Sequence, residues 1–116
     1  MPKGTDAEKA ARKTAMQAAY KGAAEVPLDT MRASVEALHL AKLAAEKGNR
    51  NAITDAGVAA LLAGAAMRGA ALNVRVNLAA LKDEDARADL EERMASLQGE
   101  GEAVARDVAT IVESAL

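Results

Sequence analysis

The sequence predicts an all-α fold, an antiparallel bundle of about four helices that self-associates. Three observations predict it. Alanine fills 31 of 116 positions, and β-branched or aromatic runs are absent, which favours helix over strand. Apolar residues recur at spacings of three and four along most of the chain. Helix-ending signals fall at Pro27, at Gly48 and at the polar run Lys82-Asp83-Glu84-Asp85, leaving only short connections between antiparallel neighbours.

The first helix is expected from near Thr5 to about Ala24. Thr5 followed by Glu8 has the spacing of a capping box, in which hydroxyl and carboxylate each satisfy an orphan amide. Its bulk is limited to Ala11, Ala15, Met16, Ala18 and Tyr20. Pro27 lacks an amide donor and biases Val26 away from helix, so a second helix is expected to begin there. Its stripe is Leu28, Met31, Val35, Leu38, Ala41 and Ala45. Leu40 and Leu43 lie off that stripe, which predicts burial on more than one side. Gly48 ends this helix.

A polar loop follows, and Thr54 is the expected N-cap of the third helix. Asp55 lies in its first turn, where a carboxylate meets the positive end of the helix dipole. This helix is read to about Leu81, with a bulky stripe of Val58, Leu61, Leu62, Ala65, Leu72 and Val76. Gly57, Ala60, Gly64 and Ala71 form a smooth stripe that lets another helix come close. A helix apolar nearly all round wants neighbours nearly all round. The fourth helix is read from about Asp83 to Ala115. Leu90, Met94, Leu97, Gly101, Val104, Val108, Ile111 and Ala115 give it near-heptad spacing. Gly99 and Gly101 predict a kink or a frayed turn, since each costs ~1 kcal/mol against alanine.

Composition excludes several functions. The formal charge is −2 and the single aromatic residue is Tyr20, so neither a basic footprint nor a base-stacking platform for nucleic acid is present. There is no cysteine and one histidine, His39, which removes thiolate chemistry, disulfides and zinc frameworks. The stretch Ala56 to Met67 reads as too short to span a bilayer, and the N-terminus has no secretory pattern. The expectation is a soluble cytoplasmic protein that binds no nucleic acid, membrane or metal.

Two groups of polar residues stand out. Asn49, Arg50, Asn51, Thr54 and Asp55 precede or open the third helix, and Arg68, Asn73, Arg75 and Asn77 lie within it. Ordinary structural roles fit each of them. Thr54 and Asp55 suit a cap, Asn73 and Asn77 suit interhelical hydrogen bonds, and Arg68 and Arg75 suit a solvated edge. Taken alone, the residue pattern reaches a soluble helical bundle.

Three segments carry more. They are Glu25-Val26-Pro27-Leu28, Gly48-Asn49-Arg50-Asn51-Ala52-Ile53-Thr54-Asp55-Ala56-Gly57-Val58-Ala59, and Gly69-Ala70-Ala71-Leu72-Asn73-Val74-Arg75-Val76-Asn77-Leu78. With the lead-in Pro2-Lys3-Gly4-Thr5, their order and spacing resemble the formiminotetrahydrofolate cyclodeaminase / methenyltetrahydrofolate cyclohydrolase family. The middle segment is the most specific. Members of that family are about twice as long and carry a glycine-rich segment and further helices in an N-terminal half. Residues 1–116 therefore read as a single helical domain resembling the C-terminal half. The smooth, apolar third helix then needs either a repacked bundle or another chain to cover it.

The resemblance implies chemistry on a one-carbon tetrahydrofolate derivative, with no cofactor beyond that substrate. A cyclohydrolase adds water to the cationic carbon bridging N5 and N10, giving 10-formyltetrahydrofolate. A cyclodeaminase lets N10 attack the formimino carbon and releases ammonia. Both need a proton acceptor or donor and an anion near that carbon. The resemblance puts Asp55 in that catalytic place. Asn49, Asn51 and Thr54 then hold the pterin edge or Asp55, Asn73 and Asn77 support the site, and Arg75 or Arg68 meets the glutamate tail. A domain without an attached formiminotransferase leans toward the cyclohydrolase. The alternative is a non-catalytic self-associating module or one subunit of a split enzyme, because half a site loses its preorganisation. The expected partners are a folate derivative and either a second copy or a chain supplying the missing helices.

Overall fold

The computed structural model describes residues 4–116, so Pro2 and Lys3 of the lead-in lie outside the described residues. Three helices follow one another: α1 Asp6–Lys47, α2 Ile53–Ala80 and α3 Glu84–Ala115. The fold is all-α, and the molecule measures 68 × 26 × 15 Å. Each helix packs on both others. The first three turns of α1 are exposed throughout, and they stand free of the rest.

The count of three rather than four corrects the reading of Pro27, which lies inside α1 and does not divide it. Proline removes the N–H that would bond the carbonyl four residues back. That carbonyl belongs to Ala23, and the Asn77 side chain donates to it at 3.3 Å. Ala24, Leu28 and Met31 are fully buried on both sides of Pro27. Their burial, at ~1.5–3 kcal/mol for each large side chain, offsets the ~3 kcal/mol that a mid-helix proline costs.

The expected stripe Leu28, Met31, Val35, Leu38, Ala41 and Ala45 is buried in full. Leu40 and Leu43 are exposed, so that part of α1 is buried on one side only within the chain. At the start of α1 the Glu8 amide donates to the Thr5 hydroxyl at 3.2 Å, the hydroxyl half of the expected capping box. Gln17 ties α1 to the end of α2. Its amide donates to the Ala80 carbonyl at 3.2 Å and accepts from the Lys82 amide at 2.7 Å.

The third predicted stripe is inverted. Ala56, Ala60, Met67, Ala70, Ala71, Val74 and Leu78 face inward, while Val58, Leu61, Leu62, Leu72 and Val76 face out. Small residues let α2 approach its neighbours closely, and a Cβ at Gly57 would stand 3.2 Å from Val112. α2 is also long and apolar enough to cross a membrane by length and composition alone, unlike the shorter stretch weighed in the sequence. Arg68 and Arg75 lie within it, and Arg68 pairs with Glu102 of α3 at 3.5 Å.

On α3, Leu90, Gly101, Val104 and Val108 are buried, and Met94, Leu97 and Ile111 pack beside them. The helix runs unbroken through Gly99 and Gly101. Asp83 caps it, accepting from the Ala86 amide at 3.1 Å. Across the α1–α3 seam His39 meets Glu100 at 2.8 Å, and Lys42 meets Asp107 at 3.0 Å. The Asp107 hydrogen bond and charge hold the Lys42 ammonium above its ordinary 10.5. The contribution of that pair is therefore complete at neutral pH and is lost only as pH rises beyond that value.

Candidate functional site

The predicted asparagines, Thr54 and Asp55 divide into two places, and Arg75 lies in neither. Asn49, Asn51, Thr54 and Asp55 form an exposed elbow between α1 and α2. Asn49 orders it, accepting from the amides of Asn51 at 3.0 Å and Ala52 at 3.1 Å. The expected Thr54 cap is not formed. The N-cap position is Ala52, without a side-chain bond, and Thr54 lies within the helix. The Asn49 turn takes over the work of starting α2, and Asp55 keeps its place in the first turn.

Asn73 and Asn77 lie at the other end of α2, facing α1. With Ala23, Val26, Pro27 and Thr30 of α1, and Ala66, Gly69 and Ala70 of α2, they line an open groove of about 750 Å³. Two of the three distinctive sequence segments thus meet there. The Asn77 amide bonds both the Ala23 carbonyl at 3.3 Å and the Asn73 carbonyl at 2.9 Å. Proline and asparagine make one device: the first frees a carbonyl and the second occupies it.

A double-mutant cycle tests this pairing. Asn77→Ala is expected to cost about 1 kcal/mol in urea unfolding, because the Ala23 carbonyl loses its donor. Pro27→Ala restores a backbone N–H and is expected to stabilise by up to ~3 kcal/mol. In that background the cost of Asn77→Ala should nearly vanish, giving a coupling near 1 kcal/mol.

Neither arginine joins the groove. Arg75 lines a depression with Arg87, Glu91 and Met94 toward α3, and Arg68 is engaged with Glu102. The elbow is also far from the groove. Asp55 and Asn73 are eighteen residues apart on one helix, five turns, so they share a flank but stand about 27 Å apart. One chain therefore does not bring its candidate base to its candidate pocket. A smaller apolar cavity of about 310 Å³ lies between the first turns of α2 and the end of α3, with Thr54 and Glu113 at its rim. Among the described residues no cluster of three His, Asp or Glu side chains suits a metal ion.

Sequence reasoning missed Gln17 and the Ala23 carbonyl. Gln17 gives no signal in one dimension. The carbonyl was legible, because a mid-helix proline frees the carbonyl four residues before it.

Comparison with known proteins adds to this geometry. A sequence model of the family described as formiminotransferase-cyclodeaminase matches residues 1–96. Methenyltetrahydrofolate cyclohydrolase of Methylorubrum extorquens is 52% identical over 99 residues, which cover 85% of this chain and 46% of that protein. The crystal structure of formiminotetrahydrofolate cyclodeaminase from Thermotoga maritima matches with a TM-score of 0.83 and 29% identity. That match covers 97% of this chain and 53% of the other. The chain thus spans about half the length of the relatives it matches.

Proposed function

The chain belongs to the formiminotransferase-cyclodeaminase family, and from that membership we propose that it serves folate one-carbon metabolism as all or part of a methenyltetrahydrofolate cyclohydrolase. The 52% identity to a cyclohydrolase supports that activity over the cyclodeaminase. On this reading residues 1–116 correspond to the C-terminal half of the family's domain. The protein works in the cytoplasm, and the substrate is 5,10-methenyltetrahydrofolate, with no further cofactor. The observation that carries the reading is the groove of α1 and α2. It has the volume of a small-molecule site and is built from two of the family-like segments, with the Asn73 and Asn77 side chains among its few polar groups.

In the reaction, water adds to the cationic carbon between N5 and N10 and loses a proton. The bond from that carbon to N5 then breaks, N5 takes up a proton, and the formyl group stays on N10. Asp55 is the proposed proton acceptor, and its negative charge also suits the cationic ground state. Asn49, Asn51 and Thr54 keep the elbow and its carboxylate in place, while a pterin edge meets the Asn73 side-chain amide and the Asn77 Oδ1, the Asn77 NH2 being taken by the Ala23 and Asn73 carbonyls. Arg75 faces another part of the surface, so it meets the glutamate tail only where that tail reaches around α2.

The test follows the loss of methenyltetrahydrofolate absorbance with the purified chain, beside calorimetry with the same folate. Binding with faster decay than buffer is the expected result. Binding without faster decay assigns the chain to one half of a split enzyme, a reading that the 27 Å between elbow and groove favours. Neither binding nor decay would reject the folate role.

A further inference from the structure

α2 presents an outward stripe of Val58, Leu62, Ala65, Gly69, Leu72 and Val76, spaced alternately by four and three. Its large members are 54%, 67%, 59% and 70% exposed in chain order. The stripe reads nearly the same in reverse. Turned end for end about the level of Met67, Val58 falls on Val76, Leu62 on Leu72 and Ala65 on Gly69. A twofold interface sets one patch against itself, and a patch that reads alike in both directions meets that requirement in antiparallel pairing. Large side chains stand at both ends and small ones in the middle, so the two axes can come close at the centre. Nothing lies within 4 Å of a Cβ built at Gly69. No charge interrupts the stripe, and Arg68 beside it is engaged by Glu102.

We propose that the chain pairs antiparallel with a second copy of itself along this stripe, and that the pairing sets the Asp55 elbow of one copy beside the Asn73–Asn77 groove of the other. Adding Leu61, 75% exposed, burial on both copies removes on the order of 1,000 Å² from water, about the minimum for a specific interface. The twofold keeps each flank on its own side. Asp55 lies twelve residues before Met67, so its level in the second copy is residue 79, about 3 Å along the axis from Asn77. Two incomplete sites in one chain thus become two composite sites in the pair. This second step rests on the folate reading, and the pairing itself does not.

The chain has no cysteine, so engineered thiols report cleanly. Val58→Cys and Val76→Cys chains, mixed and oxidised gently, should link to each other, while neither should link to itself, since like positions stand about 27 Å apart. Leu62→Glu should halve the sedimenting mass to the 11.9 kDa of one chain with unchanged helical dichroism, because Leu62 is 67% exposed within the chain. A wild-type monomer at about 100 μM, or self-linking of Val58→Cys, would overturn the pairing. If the monomer were instead captured by the unmatched half of the Methylorubrum enzyme, that segment would be the occupant. Asp55→Cys mixed with Asn77→Cys reads the composite site. Linking is expected, and its absence alongside linked 58–76 pairs would overturn the shared site. None of these readouts involves folate, so their failure is separate from failure of the activity.

Discussion

With Asp55 as the proposed proton acceptor, Asp55→Asn is expected to slow the opening of the methenyl ring about 10²–10⁴-fold, the usual loss when a general base is removed. Asparagine keeps the shape and the hydrogen-bonding reach of the side chain but cannot accept the proton from the attacking water. Binding of the folate should change far less, because the proposed pterin contacts are Asn73 and Asn77 rather than Asp55. The substitution also removes a negative charge from the first turn of α2. A stability loss of up to ~1 kcal/mol should therefore accompany it, visible as a small drop in melting temperature. Rate measured by absorbance decay, beside calorimetric binding, separates these effects. A rate within threefold of wild type would remove Asp55 from the proton-transfer role.

The second large effect is structural. Gly101→Leu is expected to destabilise the fold by about 3 kcal/mol, the upper range for overpacking a tight core. Gly101 is buried on α3 directly against the Met67 sulfur, and a Cβ there would stand 3.0 Å from the Met67 methyl and 3.2 Å from Val35. The methionine end can swing aside to some extent. The branched Val35, 4% exposed, has nowhere to move. Gly99 lies two residues away with open space around it. Gly99→Ala should accordingly stabilise by up to ~1 kcal/mol through helix propensity. Chemical denaturation of both variants gives the contrast, and equal shifts in the same direction would contradict the close approach at Gly101.

The two glycines illustrate what sequence reasoning reaches. Spacing predicted the all-α class, the Leu28-to-Ala45 stripe and the Leu90-to-Val108 seam, because amphipathic period and burial agree there. It did not reveal that Gly101 serves packing rather than a bend, since that depends on Met67 lying opposite. It divided α1 at Pro27, because the compensating donor, Asn77, comes from fifty residues away. α2 was turned inside out. Where apolar residues surround a helix, period alone does not say which side faces in, and alanines won the inner side by allowing close contact. The family-like segments pointed to Asn73 and Asn77, which the fold brings to one groove, yet eighteen residues of straight helix keep Asp55 from Asn73, and no pattern in one dimension closes that gap. Arg75 missed the groove for the related reason that it lies on the side of α2 facing α3.

The alanine-lined inner side of α2 has a thermal consequence. Methyl groups of alanine withdraw little apolar area from water, so unfolding this chain should raise the heat capacity by less than the ~12–15 cal/mol/K per residue of ordinary domains. A smaller increment flattens the curve of free energy against temperature. Such a fold keeps a nearly constant margin across a wide range of growth temperatures, and it gains that breadth from the same close approach of backbones that gives the molecule its thin, rod-like shape.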